Sequence, residues 1–101
     1  MGYKPTRISP EVYSIKFDKH RDLVKERVQY KATYNGRTLL ITRDPGFIWW
    51  YQIRNSDGKL EIKADGLREG YREVRRYLLQ DLQKLINKEA QEALSEVQSL
   101  S

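Results

Sequence analysis

The sequence predicts an α+β fold, in which a four-stranded antiparallel β-meander packs on a long C-terminal helix and an N-terminal helical segment lies at one side. Three observations lead to this prediction. Apolar and polar side chains alternate in short runs between residues 28 and 64, as in strands with one buried face. Turn signals separate those runs. From residue 67 onward, apolar side chains recur every three or four positions, as on one face of an α-helix. The length of 101 residues fits a single domain.

The first two strands are defined by the turn between them. Asn35 and Gly36 separate the runs 28–34 and 37–43, and Asn-Gly is typical of a two-residue type I′ turn, because both turn residues need positive φ. A two-residue turn also fixes which residues face each other. The expected pairs, all on one face of the sheet, are Tyr34 with Arg37, Ala32 with Leu39, Tyr30 with Ile41 and Val28 with Arg43.

Two further strands are expected at 47–54 and 59–64, after the turns DPG and NSDG. Because successive side chains of a strand point to opposite faces, each strand divides into two sets. The apolar face receives Phe47, Trp49, Tyr51 and Ile53, together with Leu60, Ile62 and Ala64. The opposite, mostly polar face receives Ile48, Trp50, Gln52 and Arg54, together with Lys59, Glu61 and Lys63.

A helix over 67–100, with Asp65 as its N-cap, is expected to cover the apolar face. Such a helix would be about 50 Å long, whereas a seven-residue strand spans about 23 Å. The last 14 or so residues would therefore extend beyond the sheet, where they either fray, fold back or meet a partner. The expected sheet-facing side chains are Leu67, Tyr71, Val74, Leu78, Leu82 and Leu85, and those of the extension are Ile86, Ala90, Ala93, Val97 and Leu100.

The N-terminal third allows more than one interpretation. Asp18 can cap a helix over 19–27, which is the predicted element. Ser9 and Pro10 are typical of a helix start, so the helix could extend back to residue 10. The alternation in VYSIKF at 12–17 is equally compatible with a strand.

Catalysis has little support in the sequence. The chain has one His, His20, and no Cys, so no pair of such residues is present to bind a metal or to act as nucleophile and base. No phosphate-binding loop or nucleophile motif occurs. We therefore expect a protein that is not an enzyme and that uses no cofactor or metal. The lack of Cys fits a reducing compartment, hence the cytoplasm, and no apolar run reaches the length of a membrane span. We expect no membrane partner.

The charge distribution suggests a nucleic-acid partner, DNA or RNA. Residues 1–43 carry ten Lys/Arg and four Asp/Glu, whereas residues 77–101 carry two and four. On the polar sheet face, cations that neutralise phosphates accompany an aromatic ring that can stack on a base and polar groups that can reach base edges. The predicted nucleic-acid-binding residues are Lys31, Thr33, Trp50, Gln52, Arg54 and Lys63.

Two alternatives remain open at this point. The N-terminal segment could pack on the polar face and bury Trp50 together with Ile48 and Leu40, because large apolar patches are rarely left exposed. The chain could also be a protein-interaction module, such as an adaptor, an inhibitor or an assembly subunit. In that case its helical extension (Ile86, Ala90, Ala93, Val97 and Leu100) would dock on a partner or form a homodimer.

Overall fold

The computed structural model describes residues 6–100, with side chains described for residues 6–95. Seven elements follow one another along the chain. They are α1 (Pro10–Tyr13), β1 (Asp18–Asp22), β2 (Arg27–Tyr34), β3 (Arg37–Asp44), β4 (Ile48–Arg54), β5 (Leu60–Leu67) and α2 (Tyr71–Leu100). The strands form one antiparallel sheet in the order β1-β2-β3-β4-β5, so the α+β class and the meander are confirmed, whereas the strand count is five and not four.

The register of the central hairpin is the one that the Asn-Gly turn predicts. Tyr34 faces Arg37 and Val28 faces Arg43, and Asn35 and Gly36 have φ of 49° and 82°. β3 and β4 pair with Ile41 opposite Tyr51. The alternation of faces along β2, β3 and β4 is therefore as expected from period two.

The core lies between α2 and one face of the sheet, which we call the inner face. α2 contributes side chains at helical spacing and the strands contribute alternate residues, and Val12 of α1 closes one side of the core. The buried apolar set is Val12, Ala32, Leu39, Ile41, Trp49, Tyr51, Ile53, Val74, Leu78, Leu79 and Leu82. We call the other face of the sheet the outer face.

The predicted helix over 19–27 is wrong. Residues 18–22 pair instead with β2 as an edge strand, and residues 23–26 form a turn. Asp22 stabilises that turn, since its Oδ1 accepts hydrogen bonds from the backbone N–H groups of Val24 and Lys25, both at 3.1 Å. Leu23 and Val24 are exposed, so the segment has no apolar stripe for a helix to bury, whereas pairing with β2 satisfies its backbone groups.

The helix start at Pro10 is present, but its extension is wrong. The Ser9 side chain accepts a hydrogen bond from the Val12 N–H and Pro10 occupies the first helical turn, as the sequence indicates. α1 nevertheless ends at Tyr13. The chain then runs past α2, where Arg75 Nη2 donates to the carbonyl oxygens of Tyr13 and Ile15 at 2.6 and 3.1 Å.

Asp65 is not a helix cap, and α2 begins four residues later than predicted. β5 continues through Asp65 and Gly66 to Leu67, which pairs with Trp49. The pairing is irregular between Trp49 and Tyr51, and Gly66 has φ of 69° there, as in a β-bulge that places two residues opposite one. The helix starts at Tyr71.

Phe47 is also misplaced by the sequence prediction. Alternation assigned it to the apolar face, but it lies in the turn between β3 and β4 with φ of 59° and is 73% exposed. The strand starts one residue later, at Ile48, because the positive φ values of Gly46 and Phe47 interrupt the extended backbone.

Candidate nucleic-acid interface

The structure brings all six predicted nucleic-acid-binding residues to the outer face. Their positions follow from the pairing of the strands: Gln52 faces Lys63 across β4 and β5, and Thr38 lies between Thr33 and Arg54. Lys31 lies in the same cross-strand row as Gln52 and Lys63, with Leu40 between it and Gln52. The six residues are Lys31 and Thr33 on β2, Trp50, Gln52 and Arg54 on β4, and Lys63 on β5.

From residue 6 onward, where the structure describes it, the N-terminal segment does not cover this face. It packs on the inner side, where Ile8, Ile15 and Phe17 contact the core. The Ser9 N–H donates to Gln83 Oε1 on α2 at 3.0 Å, which ties the segment to the helix. The alternative in which the N-terminal segment, as a helix over 19–27 or a strand around 13–17, buries Trp50 is therefore wrong, and Trp50 is half-buried by its neighbours within the sheet.

Trp50 is held in place by a short chain of hydrogen bonds. Its indole Nε1 donates to Asp44 Oδ2 at 3.0 Å, while Arg27 Nε donates to Asp44 Oδ1 at 2.8 Å. Trp50 faces Thr42 across β3 and β4, and Thr42 is fully buried, with a hydroxyl that has no partner within the described part of the chain. Because the hydrogen bond to Asp44 fixes the indole nitrogen of Trp50, the Trp50 ring has one orientation relative to the sheet.

Beside the Trp50 ring lies an open cleft of about 320 Å³. It combines an aromatic surface with an amide, an ammonium group and carboxylates. The side chains that line it are Asp44, Trp50, Gln52, Lys63 and Asp65. A cleft of this size, with a flat apolar wall and polar groups at its rim, suits a small planar ligand.

The outer face is divided by charge. Lys31, Arg54 and Lys63 lie in the half towards the 55–58 turn, with Asp18 beside Lys31. The half towards the 45–47 turn holds Asp44, which Arg27 neutralises, together with the carboxylates of Asp22 and Asp65. The positive potential is thus confined to one half, which we call the basic half.

Two of the three cations in the basic half also have intramolecular partners. Arg54 Nη1 donates to the Gly58 carbonyl at 2.9 Å, and Lys63 Nζ lies 3.8 Å from Asp65 Oδ2. Both side chains keep further N–H groups for a ligand, because a guanidinium has five donors and an ammonium has three. Lys31 is exposed, so it is the clearest candidate for a phosphate contact.

Sequence reasoning missed Asp44 and Asp65 as cleft residues. The sequence pattern indicates a turn at Asp44 and a helix cap at Asp65, whereas Asp44 is the last residue of β3 and Asp65 lies within β5, and both line the cleft beside Trp50. The usable signal was the alternation of KADGL, which continues the strand pattern through Asp65 and becomes visible once Gly66 is allowed a bulge.

Within residues 6–95 no group of three or more His, Cys, Asp or Glu side chains is arranged to hold a metal ion. His20 lies on β1 with its side chain exposed. No helix in the described part of the chain is long and apolar enough to cross a membrane.

Comparisons with known proteins give no relative for this chain: no family model, no curated protein and no solved structure matches it. Its function is therefore inferred from the side chains and geometry described above.

Proposed function

We propose that the protein binds single-stranded nucleic acid without catalysing a reaction on it. The observation that carries this proposal is the cleft beside Trp50, which opens next to the basic half of the outer face. Proteins that bind single strands combine an aromatic surface for base stacking with cations that follow the phosphate backbone. The outer face offers both within one sheet.

In the proposed complex one unstacked base lies against the Trp50 ring. The hydrogen bond from Trp50 to Asp44 orients the indole before the ligand arrives, so little ordering free energy is needed on binding. Gln52 and Asp65 line the cleft and offer an amide and a carboxylate to the base edge, where carboxylates accept hydrogen bonds from exocyclic amino groups.

The phosphates on either side of the bound base reach the cations of the basic half. Lys31 on β2 and Lys63 on β5 are separated by three strand spacings, about 14 Å. Arg54 lies one row further along β4. A single strand that crosses these strands would thus meet three cations. The carboxylates of the other half repel the backbone and restrict the path to the basic half.

A titration of the tryptophan fluorescence with single-stranded oligonucleotides, repeated at several salt concentrations, tests this proposal. Three phosphate contacts predict a slope of log K against log salt of about −2 for a single strand, since each contact contributes about −0.7. Lys31→Ala should lower the affinity and reduce the slope to about −1.4. Lys84→Ala is the matched control, because Lys84 is an exposed lysine on α2, and it should leave the slope unchanged.

Trp50→Ala separates stacking from charge. Loss of one base–aromatic stack should weaken binding by about 1–3 kcal/mol without altering the salt slope. Circular dichroism checks that the variant is folded. An unaltered affinity of this variant, or a wild-type emission spectrum that no oligonucleotide changes, would contradict the proposal.

A second function is supported by the end of α2. Residues 90–95 are all exposed, and Leu94 is 63% exposed, so this part of the helix has no partner within the described chain. Ala90 and Ala93 belong to this surface, whereas Ile86 packs against the core. The side chains of Val97 and Leu100 lie outside those described. We therefore keep a protein-interaction module, using this helix end or a homodimer, as the alternative proposal.

A further inference from the structure

Two neighbouring turns at one end of the sheet present large apolar side chains to solvent. Leu23 and Val24, in the turn between β1 and β2, are 79% and 94% exposed, and Phe47, in the turn between β3 and β4, is 73% exposed. We call these two turns, residues 23–26 and 45–47, the loop end. Single exposed apolar residues are ordinary, whereas a group of them at one place marks an interaction surface.

The two turns form one continuous surface. A depression beside Leu23 and another beside Phe47 share Glu26 and Arg43 in their walls. The strands that lead into the turns are also joined, because Arg27 and Asp44 form an ion pair with an Nε–Oδ1 distance of 2.8 Å. A single partner can therefore contact both turns at once.

The turns are held in shapes that point these side chains outward. Asp22 accepts hydrogen bonds from the N–H groups of Val24 and Lys25. Phe47 has φ of 59°, a conformation that carries an energetic cost for a residue with a Cβ atom. The exposed ring recovers little of this cost by packing; its contact is with the Arg43 guanidinium, 5.6 Å from the ring centroid.

Cations surround the apolar tips. Arg21 and Arg43 line the depressions, and Lys25 lies in the first turn and is exposed. Of the carboxylates near them, Asp44 is paired with Arg27, which leaves Asp22 and Glu26 to oppose the three cations. Three cations against two carboxylates leave a small positive charge, and the two arginines lie on the inner-face side of the sheet, because Arg21 and Arg43 both face Val28.

We propose that the loop end inserts into an anionic lipid surface. Apolar side chains enter the boundary between headgroups and acyl chains, while Arg21, Lys25 and Arg43 remain at the level of the anionic headgroups. This mode needs no spanning helix and no amphipathic helix. It departs from the expectation drawn from the sequence that no membrane is bound, which followed from the lack of an apolar run long enough to span one.

The kind of side chain favours lipid over nucleic acid at this end. Leu23 and Val24 have no π face to stack on a base, and both are exposed in a turn. Burial in hydrocarbon stabilises aliphatic and aromatic groups alike, in proportion to their area. The loop end also lies at the far end of the sheet from the cations of the basic half, so the two proposed activities rely on different residues.

Sedimentation with lipid vesicles tests the proposal on the full chain. The protein should co-sediment with vesicles of phosphatidylcholine and about 30% phosphatidylserine, which give the anionic surface of a cytoplasmic leaflet. Much less of it should co-sediment with vesicles of phosphatidylcholine alone. Phe47→Asn should reduce the fraction of protein bound to the anionic vesicles about tenfold. Asn accepts positive φ, so this variant keeps the turn. The pair Leu23→Ser and Val24→Ser should reduce it further.

Leu60→Ser is the matched control, because Leu60 is 42% exposed at the start of β5, at the opposite end of the sheet, and it should bind vesicles as the wild type does. The proposal is overturned if the wild type does not bind the anionic vesicles, or if the control loses as much binding as Phe47→Asn. It is also overturned if the loop-end variants lose oligonucleotide affinity while no variant binds vesicles. Lys31→Ala, which tests the outer face, should retain vesicle binding, so the two proposals fail separately.

Discussion

Tyr51 shows how a single residue joins the two layers. It is buried on the inner face at the middle of β4, and its hydroxyl donates to Asp81 Oδ2 on α2. Burial, assisted by the hydrogen bond to Asp81, raises the pKa of Tyr51 above its ordinary value. Burial also raises the pKa of Tyr71, at the start of α2. The folded state therefore holds these phenols in the neutral form.

These pKa shifts predict a loss of stability in alkali. Below pH 10.0, the ordinary value for tyrosine, the phenols are neutral in both the folded and the unfolded chain. Above it, only the unfolded chain releases their protons readily, so the free energy of unfolding falls as pH rises. Urea unfolding at about pH 8 and about pH 11 measures the difference.

Tyr51→Phe should make the free energy of unfolding fall less steeply with pH, because one phenol with a raised pKa is removed. At neutral pH it should cost about 1 kcal/mol, for the lost hydrogen bond to Asp81. Tyr13→Phe, at an exposed tyrosine, is the control and should follow the wild type. A Tyr51→Phe variant with the wild-type pH dependence would show that Tyr51 does not carry the effect.

At the scale of elements, the turn at Asn35-Gly36 determines the central hairpin. Gly36 has φ of 82°, and a Cβ atom there would lie 3.2 Å from Ser56 Cβ. Gly36→Ala should therefore lower the free energy of unfolding by about 1–2 kcal/mol. Thermal unfolding followed by circular dichroism measures this loss.

Gly70 provides a contrast to Gly36. It precedes α2, and a Cβ atom added there meets nothing within 4 Å. Its φ is not in the left-handed region, so Gly70→Ala should be neutral or stabilise the fold by up to about 1 kcal/mol, because alanine restricts the unfolded chain. Equal losses in the two variants would mean that backbone conformation is not what makes Gly36 necessary.

Elements whose signals are local were predictable from the sequence. The register of β2 and β3 follows from the two turn residues, and the apolar stripe of α2 from Val74 to Leu85 follows from helical spacing. β1 was not predictable in this way: DKHRD at 18–22 has no apolar side chain to reveal a strand, and its pairing with β2 is a tertiary contact. Periodicity also cannot show the bulge at Gly66, which moved the start of α2 to Tyr71.

The residue types of the candidate site were predictable from the sequence, whereas the distribution of charge across it was not. Lys31, Trp50, Gln52 and Lys63 share a face because strand alternation requires it. Asp44, close to Trp50 along the chain, and Asp65, on β5, join the same cleft only through pairing and a bulge. The division of the outer face into a basic and an acidic half is thus a property of the folded sheet.

At the scale of the whole molecule, the free end of α2 is the part that extends from the rest. Among the side chains described, to residue 95, the last one on α2 that hydrogen-bonds to the sheet is Glu89, which accepts from Arg37. Arg37 is itself 8% exposed and also pairs with Glu61, at 3.2 Å. Beyond this point about eleven residues continue the helix for some 16 Å. A truncation that keeps Glu89 therefore removes the extension and preserves the core.

Truncation after Ala90 distinguishes the two proposed functions. Under the protein-interaction alternative, sedimentation equilibrium should show that self-association or partner binding is lost, because the exposed helical surface is gone. Under nucleic-acid binding, the oligonucleotide affinity should stay within about twofold, since no outer-face residue is removed. Loss of oligonucleotide affinity in this variant would place the nucleic-acid contacts on the helix end and contradict the outer-face proposal.

The edges of the sheet bear on how copies of the molecule can meet. β1 is short and carries an acidic or basic side chain at each of its positions, Asp18 to Asp22. β5, at the other edge, has two irregularities in its pairing. Charged, short and bulged edges resist the addition of further strands from another chain. The sheet is therefore protected against growth into fibrils by strand addition, even though both of its edge strands are open to solvent.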